Sequence, residues 1–362
     1  MYDYVIVGSG LFGSVFAREL TNFGKKCLII DKRSHIGGNC YTYTEDSIHV
    51  HAYGPHIFHT SSKRIWEYVN KYTEFNNYIN RPKVSYKNNL YSFPINLFTL
   101  YQLWGVKSPE EAKCKLEEVK VRKETCENLE DWILAQVGQE IYEKFIYGYT
   151  KKQWGKEPRD LPSSIIKRLP IRLTMDDNYF EDEYQGIPKL GYTDLFTNLL
   201  ADIEHELGVD YFSNRDRFNK MAKKVVYTGP IDEFFEYEYG ELEWRSLKFE
   251  TKKLALQYFQ GSAITNYTEE NCPYTRIVEH KHFNFLKNNS TIITMEYPQK
   301  WDKSKEKFYP INDEKNNVLF KKYHSLIDHD KFIFGGRLAN YKYYDMHQVI
   351  GSALSAADKE TK

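Results

Sequence analysis

The feature that most limits how this chain can fold is the run Val7-Gly8-Ser9-Gly10-Leu11-Phe12-Gly13-Ser14 near its start. Gly8, Gly10 and Gly13 satisfy G-x-G-x-x-G, a pattern that chance also produces, so its neighbours decide what it means. Before it, Tyr4-Val5-Ile6-Val7 is a short apolar run of β-branched and aromatic residues, the composition of a buried parallel strand. After it, Val15, Phe16, Leu20 and Phe23 recur at roughly helical spacing, and Gly24 stands where a helix end favours a left-handed residue. A second apolar run, Cys27-Leu28-Ile29-Ile30, ends in Asp31, eighteen residues beyond Gly13. Strand, glycine turn, helix, strand and acid in that order predict a βαβ unit that holds an adenine dinucleotide. Gly8 makes the tight turn, Gly10 lets backbone approach the pyrophosphate, and Gly13 lets helix and strand pack closely. The helix N–H groups then face the phosphates, and Asp31 is placed to accept from the ribose hydroxyls.

Two further segments narrow the dinucleotide. Lys32-Arg33-Ser34-His35-Ile36-Gly37-Gly38-Asn39 brings a second glycine pair close behind the acid, where NAD dehydrogenases usually run into another helix and flavoproteins often place glycine-rich chain against FAD. Near the C-terminus, Phe332-Ile333-Phe334-Gly335-Gly336-Arg337 reads as a returning strand that delivers a cation to the FAD pyrophosphate, followed by a helical stretch over 346–357. Val225-Val226-Tyr227-Thr228-Gly229-Pro230-Ile231-Asp232 reads as one more core strand and turn of the same domain, which is therefore discontinuous.

The middle of the chain has a different character. Ser108-Pro109-Glu110-Glu111 is a helix start with cap, N1 proline and first-turn acids, and Asn128-Leu129-Glu130-Asp131 opens another helix that stops before Gly138. A helical insert over 96–169 is expected, and the β-branched and aromatic runs over 247–264 and 290–297 point to an antiparallel sheet. The fold class is α/β: a discontinuous Rossmann-like FAD-binding domain with a helical insert and an antiparallel β-sheet domain.

Fifty Lys and Arg offset fifty Asp and Glu, so the neutral chain of 362 residues has no overall field to draw nucleic acid or an anionic membrane. Any anionic ligand must be held by local arginines. No basic, apolar leader precedes the first strand and no apolar run approaches the about 20 residues of a membrane helix, so a cytoplasmic protein without membrane insertion is expected. Five scattered cysteines without C-x-x-C suggest buried thiols, neither a disulfide framework nor a zinc site. His49, His51, His56 and His59 are dense, but no carboxylate or thiol completes a plausible ligand set, and no metal is expected.

Five segments, in order, resemble one family, the bacterial UDP-galactopyranose mutases. They are Gly37-Gly38-Asn39, Tyr53-Gly54-Pro55-His56-Ile57-Phe58-His59-Thr60, Gly148-Tyr149-Thr150-Lys151-Lys152-Gln153-Trp154-Gly155, Thr228-Gly229-Pro230-Ile231-Asp232, and Gly335-Gly336-Arg337-Leu338 with Tyr343-Tyr344-Asp345-Met346. The resemblance implies an FAD enzyme, active when the flavin is reduced by an external reductant, that interconverts the six- and five-membered ring forms of UDP-galactose with no net redox change. It implies that flavin N5 attacks the anomeric carbon, that UDP leaves, and that the ring recloses through a different hydroxyl, giving a furanose donor for cell-surface polysaccharide. Some relatives accept the N-acetylated sugar, so UDP-N-acetylgalactosamine is a second candidate substrate, and a homodimer is what the family suggests. It divides the chain into an FAD-binding domain (1–75, 190–245 and 316–362), a helical substrate-binding and mobile-loop domain (96–170) and an antiparallel sheet domain (76–95, 171–189 and 246–315).

The same resemblance assigns site residues. Arg168, in a mobile segment over 160–179, and Arg276 match the two diphosphate arginines, set where charge grows on the departing nucleotide. His56 and His59 lie in the loop that lies near flavin and sugar. Tyr309 and Tyr343 resemble phosphate-binding hydroxyls. Tyr149, Thr150, Trp154 and Tyr179 fall in the uridine and sugar pocket, with Tyr149 stacking on uracil, Phe145 and Ile146 flanking it, and Asn80 and Asn266 nearby. Leu11, Phe12, Lys32, Gly38, Asn39, Asp345 and Met346 join Gly8, Gly10, Gly13, Asp31 and Arg337 as cofactor contacts. The rival reading is a redox FAD oxidoreductase of the amine-oxidase type, which shares the fold and differs in the pocket.

Overall fold

In the computed structural model, which describes residues 1–167 and 169–362, the chain forms two compact units. The first gathers Met1–Tyr78, Asp182–Trp244 and Lys307–Lys362, and the second Ile79–Glu181 and Arg245–Glu306.

The first unit is built on five parallel strands in the order Phe332–Phe334, Ala222–Tyr227, Tyr2–Val7, Cys27–Asp31 and Glu204–Leu207. All of Cys27–Asp31 is buried, as are Tyr4, Val5 and Ile6, which is what a sheet covered on both faces requires. The helix Leu11–Asn22 packs on the last helix, Met346–Glu360. Glu360 ties that helix to two strands, accepting from the Tyr4 hydroxyl at 2.8 Å and the Lys224 ammonium at 2.9 Å. From Tyr2–Val7 the chain moves to one side, into Cys27–Asp31, and much later returns on the other side as Ala222–Tyr227. The strand order therefore reverses at the first strand, and in an open parallel sheet the crevice at that reversal is where ligands bind.

A buried ion pair lies beside this sheet. The Lys307 ammonium sits 3.1 Å from Asp232 Oδ1, while Asp232 Oδ2 accepts the Leu242 N–H at 3.1 Å, and both side chains are almost wholly removed from solvent. Burial pulls the lysine below its usual range, and Asp232 works against that.

The second unit joins helices to a sheet whose strands run in the order Trp244–Leu254, Thr291–Lys300, Arg276–Glu279, Ile264–Tyr267, Lys83–Tyr86 and Asn89–Ser92. Its pairs are antiparallel except Ile264–Tyr267 with Lys83–Tyr86, which is parallel. That pair joins segments far apart in the chain, so no hairpin dictates its direction. The expected helical insert is present as Leu97–Trp104, Pro109–Val119, Leu129–Ile141 and Gly148–Trp154. Ser108 Oγ accepts the Glu111 N–H at 3.2 Å and Asn128 Oδ1 the Asp131 N–H at 2.9 Å, so both caps form as the sequence predicts. Gly138 leaves helical geometry with φ 76°, and a Cβ there would come within 2.4 Å of the Val119 carbonyl. Helices and sheet share one core, in which Val84 and Tyr91 join Leu100, Ile133, Val137 and Phe145.

The runs over 247–264 and 290–297 fall in this sheet as expected; within the first, the strand ends at Leu254, and Glu279 holds the following loop by accepting the N–H groups of Phe259 at 3.0 Å and Gln260 at 2.7 Å. One expectation needs correction. The thiols are not all buried: Cys27 and Cys40 are, but Cys114 and Cys126 lie exposed on the helical segment and Cys272 is half-buried. Among the described residues no helix is long and apolar enough to cross a membrane.

Removing one partner of a buried pair leaves an uncompensated charge. Lys307→Met therefore lowers the stability of the first unit by about 3–5 kcal/mol, measured as a shift in the urea unfolding midpoint. An unchanged midpoint would show that water reaches Asp232.

Candidate active site

In the first unit the candidate cofactor residues follow the carboxyl ends of Tyr2–Val7, Cys27–Asp31 and Phe332–Phe334, three of the five parallel strands. Gly8, at φ 106°, follows Tyr2–Val7, and a Cβ on it would come within 2.1 Å of Thr228 Oγ1, which itself donates to the Val7 carbonyl at 2.7 Å. A Cβ on Gly13 would strike the Gly8 carbonyl at 2.0 Å, the close helix–strand packing that the fingerprint predicts. Gly10 caps the helix Leu11–Asn22 with no side-chain hydrogen bond, so the first-turn N–H groups of Leu11, Phe12 and Gly13 have no capping side chain. Gly38 comes against this turn: a Cβ on it would lie 3.0 Å from the Gly10 Cα, and the Gly37 N–H donates to the Ser9 carbonyl at 3.1 Å. Two glycine segments thus face each other beside an uncapped helix start, an arrangement that could hold an anionic group.

Asp31 turns partly inward. Its Oδ2 accepts the Ser9 N–H at 2.8 Å and hydroxyl at 2.6 Å, and its Oδ1 the Arg33 N–H at 2.9 Å, so it braces the glycine turn. Lys32 beside it is exposed, and Asn39 Oδ1 accepts from Arg33 Nη1 at 3.0 Å. Arg337 follows the strand Phe332–Phe334 on a short helix and donates to the Tyr344 carbonyl at 2.6 Å. Its guanidinium stands 5.1 Å from the Tyr343 ring centroid, and Tyr343 stacks on Tyr309 at 5.4 Å and 20°. Asp345 caps the last helix in a capping box with Gln348, and the Met346 sulfur lies 3.8 Å from the buried Cys40 thiol.

His56 Nδ1 lies 2.9 Å from the Gly54 carbonyl, and its own N–H donates to His51 Nδ1 at 3.1 Å. His59 Nδ1 pairs with Asp182 Oδ2 at 2.6 Å, and Ser61 donates to the other oxygen at 2.7 Å. Burial draws the His59 imidazole below its ordinary 6.5 by more than the Asp182 carboxylate restores. Burial works to raise the Asp182 carboxyl, but hydrogen bonds from Ser61 and His59 outweigh it and hold it below 3.8.

The second unit carries the other candidates. Asn266, Arg276 and Glu296 are directly opposite one another on three adjacent strands, so their side chains share a face. The wholly buried Glu296 grips Arg276 Nε at 2.6 Å. Phe145 and Ile146 are buried in a π-helical turn, Tyr142–Tyr147, that leads into Gly148–Trp154; Phe145 packs on Phe93 and Tyr91. On the following helix Thr150 is buried, and Tyr149 and Trp154 are half-buried. The Tyr179 N–H donates to the Asn80 carbonyl at 2.8 Å, bringing those two together. Arg168 lies outside the described residues. Sequence reasoning missed Asp182, Glu296 and Lys307, because each acts on a residue in a different segment and no local spacing announces it.

The UDP-galactopyranose mutase family model matches residues 144–343, more than half of the chain, and a model of an NAD(P)-binding Rossmann-like domain matches 6–72. A protein named "Probable UDP-galactopyranose mutase" from Klebsiella pneumoniae is 42% identical over 99% of this chain and 94% of its own. The chain belongs to the UDP-galactopyranose mutase family. A protein named "dTDP-fucopyranose mutase" from Escherichia coli is 40% identical, covering 99% of this chain and 98% of that relative. A solved structure of reduced UDP-galactopyranose mutase shares the fold, with a TM-score of 0.78 over 99% of this chain and 94% of that one at 13% identity. As a member of the UDP-galactopyranose mutase family the chain is an isomerase, and membership does not favour the oxidoreductase alternative.

Both His59 and Asp182 bind protons less readily folded than unfolded, so the stability each contributes is present above its unfolded pKa and lost as pH falls. The first loss comes below 6.5 through His59 and the second below 3.8 through Asp182. Asp182→Asn removes the charge that favours imidazolium, so the His59 ring, followed by NMR, titrates at still lower pH; an unmoved titration would show that the pair does not form in solution.

Proposed function

We propose that the protein holds FAD in its first unit and, with the flavin reduced, interconverts UDP-galactopyranose and UDP-galactofuranose. The observation that carries this is similarity over nearly the whole chain to sugar-nucleotide mutases. The uncapped helix start, the facing Gly10 and Gly38 backbones and the nearby cation of Arg337 fit the diphosphate of a dinucleotide. Gly8, Gly10, Leu11, Phe12, Gly13, Asp31, Lys32, Gly38, Asn39, Arg337, Asp345 and Met346 would hold it. Reduced FAD would supply a nucleophilic nitrogen for the anomeric carbon.

The chain's own task is to hold the nucleotide sugar and take up the charge of the departing diphosphate. Arg276, held from behind by Glu296, and Arg168 would be the guanidinium partners of the phosphates, as the family resemblance implies, with Tyr309 and Tyr343 as hydroxyl donors. Tyr149 would offer a face for uracil, flanked by Phe145 and Ile146, while Thr150, Trp154, Tyr179, Asn80 and Asn266 would complete the uridine and sugar pocket. His56 and His59 occupy the loop that closes on the reacting sugar. An external reductant, a cytoplasmic location, a homodimer and a furanose product used in cell-surface polysaccharide complete the proposal.

A second substrate is supported by the relative named for dTDP-fucopyranose. That sugar lacks the 6-hydroxyl, and its nucleotide lacks the ribose 2′-hydroxyl and carries a 5-methyl group. Incubating the reduced protein with UDP-galactopyranose, UDP-N-acetylgalactosamine and dTDP-fucopyranose, then separating ring forms by chromatography, discriminates the readings. Furanose is expected from UDP-galactopyranose; furanose from the dTDP sugar alone would transfer the assignment to it, and none from any sugar would overturn both. Arg276→Ala and Arg168→Ala each lower kcat by about a hundredfold or more while the flavin absorbance of the purified protein stays unchanged.

A further inference from the structure

Lys152 has no part in the site described so far. It lies on the helix Gly148–Trp154, three residues beyond Tyr149, and its ammonium donates to three main-chain carbonyls: Tyr267 at 2.8 Å, Cys272 at 3.0 Å and Tyr274 at 2.9 Å. Tyr267 ends the strand Ile264–Tyr267, and Cys272 and Tyr274 lie in the connection from it to the strand Arg276–Glu279. Asn266 immediately precedes Tyr267 and Arg276 follows Tyr274 by two residues. Neighbouring Lys151 behaves otherwise, pairing with the carboxylates of Glu157 at 2.9 Å and Glu270 at 2.7 Å.

The helix that carries Lys152 is itself anchored. Arg245 donates through Nε to the Gln153 carbonyl at 2.8 Å and through Nη2 to that of Lys152 at 3.0 Å, satisfying the last carbonyls of the helix. At the other end, a Cβ on Gly148 would meet the Thr268 carbonyl at 2.2 Å, so only glycine lets helix and connection touch. With both ends of the helix fixed, a displacement of the connection 268–274 must break the Lys152 contacts. A compact cation with three donors suits three converging carbonyls, whereas the planar fork of arginine does not.

We infer that Lys152 is a positioning residue for the nucleotide-sugar site: by gathering the carbonyls of Tyr267, Cys272 and Tyr274 it ties the uracil-stacking helix to the connection that sets Asn266 and Arg276. This role rests on the proposed function, because it matters only if those residues bind substrate. Burial draws the Lys152 ammonium down to about 8, against the opposing influence of Cys272 and Glu269. The Tyr267 and Tyr274 hydroxyls, on the residues whose carbonyls it binds, are both raised by burial, and Glu270 of the same connection is paired with Lys151 at 2.7 Å. Losing the proton removes one donor and the charge, releasing the connection.

Calorimetric titration of the flavin-loaded protein with UDP, together with steady-state kinetics, tests this. The parent is expected to bind UDP more weakly as pH rises through about 8. Lys152→Met is expected to bind about tenfold more weakly at neutral pH, to lack that alkaline limb, to raise KM, and to lower kcat by less than Arg276→Ala does. Cys272 is present in both proteins, so a limb shared by both overturns the role, as does equal affinity. Failure of the parent to bind UDP overturns the site itself. If Lys152→Met does not fold, the parent profile decides, and an affinity that stays flat through about pH 9 overturns the role.

Discussion

The first unit depends on how closely main chain approaches main chain where its parallel strands end. Val7 accepts both the N–H and the hydroxyl of Thr228, more than two hundred residues away, and only a glycine at position 8 leaves room for that contact. The same crowding recurs at Gly13 against Gly8 and at Gly335 against the Phe12 ring, where a Cβ would come within 2.0 Å of its neighbour in each case. A discontinuous unit is thereby closed at the carboxyl end of its sheet by contacts that admit no side chain.

A second pattern occurs in each unit by itself: a basic side chain leans on a carboxylate from another segment. Arg276 leans on Glu296, His59 on Asp182, and Lys307, next to Phe308 and Tyr309, on Asp232. Each carboxylate comes from another segment, and Glu296 and Asp232 are wholly buried. A buried acid is costly unless paired, so the pairing fixes where the basic side chain can go and makes its placement a property of the core. Lys152 achieves a comparable end with carbonyls, holding backbone where the others hold side chains.

Much of this was legible in the sequence. The βαβ start, the returning strands Ala222–Tyr227 and Phe332–Phe334 and the two capped helices carry local signals: glycine spacing, apolar runs, Ser108 and Asn128 caps. What was not legible is non-local. The parallel pairing of Ile264–Tyr267 with Lys83–Tyr86, the joining of helices and sheet in one core, and the loop that interrupts 247–264 depend on partners that no window of sequence contains. Among site residues, the glycines and Arg337 announced themselves by motif. Asp182, Glu296 and Lys152 did not, because an isolated acid or lysine in a chain with a hundred charged residues looks like solvated surface until its neighbours are known.

The π-helical turn Tyr142–Tyr147 holds a last consequence. Widening one turn admits an additional residue without breaking the rod, so the chain beyond it is rotated relative to an unbroken α-helix by about 100°. The aromatic and hydroxyl groups of Tyr149 and Thr150 owe their compass bearing to that surplus residue. Deleting a single position between 142 and 147 would leave composition and helix content almost untouched while swinging both groups to a different side, a change of function by phase alone.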